Sequence, residues 1–247
     1  MKKLILLLFI PIFFACSDDE SSDNNNSSNK KLISMIQEGD DGYDTYFYYT
    51  NDKLTMTEYF YDGDNDEGYT TEIFEHLDGE IRVTYTSTNN ETHIITFPVN
   101  QDGTINTPYV IFENGYFTNY IVTADGGAEP ATLICNWENG NPVEWRWYYD
   151  DSEEGPTNIS YTDYDNIFGF FPNAWGNPDL MTLAQTILGL WGNSPANLPL
   201  EFTYNDPEAS ETEVTTYSYL FDDEGYPIRI IKTRDGESTT YNLTYSD

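Results

Sequence analysis

The chain has 247 residues, and 43 aspartates and glutamates face ten lysines and arginines, a formal net charge of −33. A body this acidic repels nucleic acid phosphates and anionic headgroups and cannot release counterions from DNA, so nucleic acid is excluded as a partner. The 21 Tyr, 14 Phe and 5 Trp favour strands and broad half-buried surfaces over helices.

The first segment is MKKLILLLFIPIFFAC. Lys2 and Lys3 make a positive start, an apolar run follows, and the small Ala15 precedes Cys16. Residues 1–15 are read as a secretory signal and set aside from the fold; the run falls short of the ~20 apolar residues that span a bilayer. Loss of Lys2 and Lys3 with the signal takes the net charge to −35. The ending Phe13-Phe14-Ala15-Cys16 resembles a bacterial lipobox, with Phe13 where Leu is usual. That resemblance implies cleavage before Cys16 and a thiol carrying diacylglycerol, with several acyl chains holding the protein stably on a bilayer. Residues 16–30 form a flexible acidic and Asn/Ser-rich tether. Its start, Ser17-Asp18-Asp19-Glu20, resembles the acidic export signal of Bacteroidota-type surface lipoproteins, which implies an outer-membrane location facing the cell exterior.

Residues 31–247 read as one domain of short strands and tight turns. Strands are predicted over 44–49, 54–61, 70–76, 80–86, 92–99, 107–112, 116–123, 131–137 and 143–149. The punctuation is hairpin chemistry: Asp78-Gly79, Asp102-Gly103, Asn114-Gly115, Asn139-Gly140, Glu224-Gly225 and Asp235-Gly236. Strands joined this tightly pair with their sequence neighbours, so the predicted fold class is all-β: an antiparallel meander, curved or partly closed. A faint repeat, Gly-x-Pro-apolar-x-apolar, occurs at Gly140 and again at Gly225, and proline there suits the start of a strand. One segment departs from this pattern. Asn177 is an N-cap, Pro178 suits the first turn, and Leu180, Leu183, Ala184, Ile187, Leu188 and Trp191 form one apolar stripe. A single amphipathic helix near 178–191 is therefore predicted, stopped at Gly192 and packed on the sheet.

The aromatic meander with its Asp/Glu-x-Gly-x-Pro hairpins, together with Gly189-Leu-Trp-Gly-Asn-Ser-Pro-Ala-Asn-Leu-Pro, resembles a Bacteroidota domain of unknown function, family 4595. The resemblance implies a mostly antiparallel sheet over 31–247. It implies no activity, and no catalytic residues carry over.

Candidate sites are few. Trp145, Trp147 and Tyr149 share one strand face, as core packing under the helix requires in the first place, and as an aromatic platform for a glycan would in the second. Asp62, Asp64 and Asp66 alternate in an acidic loop that offers calcium its oxygens. The EF-hand template fails there, with Glu67 at its glycine position and Ile73 at its closing glutamate. No other cofactor is indicated. With Cys16 acylated, Cys135 has no disulfide partner and sits in an apolar run as a buried small hydrophobe. Neither His76 nor His93 lies in a catalytic or zinc motif, so no catalytic residue is assigned.

The functional expectation is a lipid-anchored, surface-displayed module that binds a glycan or a protein, or serves the envelope structurally. The alternatives are a carrier holding an apolar ligand in a curved-sheet cavity and a hydrolase with convergent carboxylates.

Overall fold

The structure is a computed structural model that describes residues 30–39, 42–63, 66–89, 91–122, 130–149, 152–167, 169–170, 187–205 and 212–246. Cys16, the signal and the export motif lie outside the described residues. So do Asp64, the side chains of Asp62 and Asp66, and the predicted helix up to residue 186.

Fifteen strands run in chain order: β1 (Leu32–Gln37), β2 (Gly42–Thr50), β3 (Lys53–Gly63), β4 (Asp66–Leu77), β5 (Glu80–Thr86), β6 (Thr92–Pro98), β7 (Val110–Glu113), β8 (Tyr116–Val122), β9 (Ala131–Glu138), β10 (Asn141–Tyr149), β11 (Glu153–Asp165), β12 (Asn197–Asn205), β13 (Thr212–Phe221), β14 (Pro227–Arg234) and β15 (Glu237–Tyr245). All belong to one antiparallel sheet, and the expected all-β meander is what forms. Its turns follow local chemistry. Asn51-Asp52, Asn114-Gly115, Asn139-Gly140 and Asp235-Gly236 place both central residues at positive φ, the conformation that matches strand twist.

Two features are not local. β1 pairs with β15, so the two ends of the domain meet in the middle of the sheet. β6 and β7, consecutive in sequence, are its two opposite edges. Fifteen strands laid flat would separate those edges by roughly 65 Å at ~4.8 Å per strand. The chain from residue 98 to 110 can reach at most ~40 Å, so the sheet must curl. The edges come to border one cavity: Phe97 of β6 and Val110 of β7 line the same space, together with Ile105, Leu190 and Trp191. Ile105 N–H donates to the Leu190 carbonyl across it (3.0 Å). The sheet is thus open in its hydrogen bonds but partly closed in shape. Asp102-Gly103 makes a tight antiparallel turn within this edge link, closed by the Val99–Ile105 bridge and by Asn100 N–H donating to the Thr104 carbonyl (2.8 Å). The strand expected over 107–112 begins only at Val110, because Thr107 accepts the Val110 N–H in a turn (3.4 Å).

At the described end of the predicted helix, Ile187 is helical and Gly189 takes φ +75°. Leu188 to Trp191 form turns, so among the described residues the helix expected to run to Trp191 does not extend past Ile187. Gly192 instead bridges to Tyr116, and its Cα lies so close to β8 that a Cβ would sit 2.3 Å from the Gly115 carbonyl oxygen.

The concave face carries the core. Met35, Leu198 and Ile230 are fully buried, with Phe47, Phe202, Tyr217 and Leu243 around them. Glu72 is buried among these groups, 3% exposed, and accepts hydrogen bonds from Thr57 Oγ1 (2.8 Å) and Tyr59 OH (2.7 Å), which hold a carboxylate that burial alone would penalise. The sequence repeat acquires a structural role here. Tyr161 and Tyr245 donate their phenol protons to the carbonyls of the repeat's prolines, Pro142 and Pro227 (2.7 and 3.0 Å), and Tyr219 does the same to Pro199 outside the repeat (2.7 Å), each latching a strand to its neighbour. Tyr49 does the same to Leu32 (3.0 Å).

The convex face carries ion pairs among exposed apolar side chains such as Ile73, Ile94 and Leu220. Arg82 lies between Glu75 and Glu80, Arg146 between Glu144 and Glu153, and Arg229 beside Glu38.

Candidate functional site

The sheet has two ends, and they differ. At one, the chain enters from the tether. Lys30 pairs with Glu224 (2.7 Å) and Asp222 (3.3 Å), while Lys31 pairs with Asp52, both in turns at that end. The Tyr–Pro latches lie there too. The opposite end holds the β10–β11, β12–β13 and β14–β15 turns, and on its concave side a half-open pocket of about 150 Å³.

Four neighbouring strands and β14 build this pocket by alternation. Trp145 and Trp147 come from β10, Thr157 and Glu154 from β11, Phe202 and Tyr204 from β12, and Glu213 and Thr215 from β13; Arg234 of β14 completes it. Register brings them level: Trp145 faces Thr157, Phe202 faces Thr215, and Tyr204 faces Glu213. The floor is Trp145, 3% exposed, with buried Phe202, Thr157 and Thr215. The charged groups gather near the turns. Arg234 pairs with Glu213, and Tyr149 OH donates to Glu154 (3.3 Å). Lys232, on the same strand as Arg234, has its pKa lowered by burial and by the Arg234 charge.

Of the residues singled out in the sequence, Trp145 and Trp147 line this pocket, and Tyr149 stacks on Trp147 at 6.4 Å between ring centres and reaches Glu154. Trp145 is a floor within the core and not part of an exposed platform. Cys135 is buried, and burial pushes its thiol pKa far up, so it is no nucleophile. Among the described residues no three His, Cys, Asp or Glu side chains converge as a metal cluster.

A second concavity has no counterpart among the sequence motifs. On the convex face of β2–β4, Tyr46, Tyr48, Phe60 and Tyr69 surround a trough of about 650 Å³ with Asp44 and Glu58. Phe60 packs edge-on against Tyr46 (5.7 Å, 86°) and tilted against Tyr69 (4.8 Å, 49°). Tyr69 OH donates to one oxygen of Glu58 (2.6 Å) and Tyr48 OH to the other. The signal was the alternation of Tyr46 and Tyr48 against Phe47, but alternation does not say which side is the core.

No family model and no curated protein matches the chain. Among solved structures, it is similar to a porin-like protein from Bacteroides uniformis at 17% identity and a TM-score of 0.64, covering 89% of this chain and 98% of that one. A porin-like protein from Bacteroides vulgatus aligns at 11% identity and a TM-score of 0.38, covering 88% and 99%. The first likeness shows a shared fold.

Proposed function

We propose that the protein is a lipid-anchored outer-membrane module, displayed on the cell exterior, that binds a glycan without transforming it. The observation that carries this reading is the position and make-up of the concave pocket. It offers a buried floor at Trp145 and aromatic walls at Trp147 and Tyr204, with hydroxyl, carboxylate and guanidinium groups around them. Sugars are recognised by that combination, with ring faces against aromatics and hydroxyls against fixed polar groups. The pocket lies at the end of the sheet opposite the tether, so a body anchored through Cys16 would hold it away from the bilayer. The porin-like B. uniformis structure supports an envelope setting through its fold alone. Membership of family 4595 is part of the proposal and rests on the link over residues 189–199.

Two results are expected. Metabolic labelling with a fatty acid tags the wild-type chain, and Cys16→Ala abolishes the label and releases the protein from the membrane fraction; an unlabelled wild type would remove the anchor. On a glycan array the full chain binds one class of oligosaccharide, and Trp147→Ala lowers that affinity at least about tenfold, as loss of an aromatic anchor does. The Trp147→Ala melting temperature should fall only modestly, since that side chain is partly exposed. Absence of binding above background would refute the glycan reading, and release of reducing sugar would assign Glu154 and Glu213 to a hydrolase instead.

The carrier reading has one observation in its favour. The cavity between the edge strands holds about 640 Å³ and is lined largely by apolar groups, among them Phe97, Ile105, Val110 and Trp191. A lipid extracted from the purified protein and detected by mass spectrometry would favour it.

A further inference from the structure

We infer that the trough on the convex face of β2–β4 is a separate binding site for a small soluble quaternary ammonium ion, such as choline or tetramethylammonium. Such a cation is held by the negative faces of several aromatic rings that are not coplanar, with a carboxylate nearby, and it loses little by leaving water because its charge is spread over methyl groups.

Each requirement has a residue. Tyr46, Phe60 and Tyr69 present rings at steep mutual angles, so they wall a hollow and do not form a flat ladder. Phe60 and Tyr48 are 40% and 41% exposed, so the rings are open to solvent. Glu58 is fixed by two phenol donors, one to each oxygen. Those bonds also keep the donors protonated: the Glu58 hydrogen bond pushes Tyr48 up to about 12 and raises Tyr69. Asp44 adds a second carboxylate, and no lysine, arginine or histidine is among the described residues that line the trough. A site of two carboxylates and four rings, on a chain of net charge −33, repels anions and draws cations. Neutral sugars would find rings there too, which is why the charge must be tested directly.

The test uses the full chain and a matched pair of probes: choline, and 3,3-dimethylbutanol, its uncharged isostere. Calorimetry should show saturable binding of choline, at least about fivefold tighter than of the isostere, in the range of a solvent-exposed cation–π contact. Glu58→Gln keeps the side chain's shape and should weaken choline binding several-fold while leaving the isostere unchanged. Tyr46→Leu, which removes one ring from a partly exposed position, should weaken it as well, with the melting curve checking that both variants fold. Equal affinity for the two probes, or no saturation by choline, would overturn the inference. Flotation with phosphatidylcholine vesicles without binding of free choline would also overturn it, by assigning the trough to a membrane surface.

Discussion

Raising the pH above about 10 is expected to unfold the sheet in one cooperative step. The cause is the number of tyrosines whose phenols are buried. Burial pushes Tyr49 and Tyr241 up to about 12, and pushes Tyr59, Tyr161, Tyr217, Tyr219 and Tyr245 up strongly as well. For each, the folded pKa lies above the unfolded value of 10.0. The stability that depends on the neutral phenol is therefore complete below about pH 10, and it is lost as pH rises through the folded values. Four of these phenols also donate to backbone carbonyls, a bond that a phenolate cannot make. One pKa unit is worth about 1.4 kcal/mol, and a typical domain is stable by ~5–15 kcal/mol, so a few such groups suffice. Circular dichroism should hold to about pH 10 and collapse by about pH 12, with a burst of tyrosinate absorbance in the same step. A sheet that stayed intact through about pH 12 while tyrosinate rose smoothly would show that the latches contribute little.

Gly192→Ala is expected to cost about 3 kcal/mol, from ~1–2 kcal/mol for a left-handed residue with a Cβ and the rest from displaced backbone. At φ +75°, the new Cβ would meet the Gly115 carbonyl oxygen at 2.3 Å and the Phe112 ring at 3.2 Å. The carbonyl cannot yield without disturbing the Tyr116–Gly192 bridge and the bond from Asn193 N–H to Gly115 O (2.8 Å). Gly225→Ala is the control. Its φ is +87° but nothing lies within 4 Å of the added carbon, so it should lose only the backbone part, about 1–2 kcal/mol. Urea denaturation of the two variants measures the difference directly. Equal losses would mean that the close approach to β8 relaxes freely.

What the residues announce and what they conceal divide along sequence distance. Hairpins such as Asn139-Gly140 and Asp235-Gly236 are legible because two neighbouring residues with positive φ decide them. The union of β1 with β15 is not, since Leu32 and Tyr245 carry no local mark of each other. The placement of β6 and β7 at opposite edges is hidden for the same reason, although once seen it forces the curl. Faces are the second blind spot. Trp145 and Tyr46 both alternate cleanly, yet one is a buried floor and the other lines an outer trough. Only the full sheet tells which side closes on itself. The Gly-x-Pro repeat was visible as a turn signal; that the carbonyls of its prolines, Pro142 and Pro227, accept from phenols 19 and 18 residues away was not.

The central claim is that the concave pocket, at the end of the sheet away from the tether, takes the glycan. It is tested most directly by the indole N–H resonances of the chain labelled with ¹⁵N-tryptophan, titrated with the oligosaccharide that scores highest on the array. The resonances of Trp145 and Trp147 should shift saturably, while that of Trp191, at the edge cavity, stays in place. Movement of Trp191 with Trp145 and Trp147 unchanged would contradict the claim and move the ligand to the gap between β6 and β7.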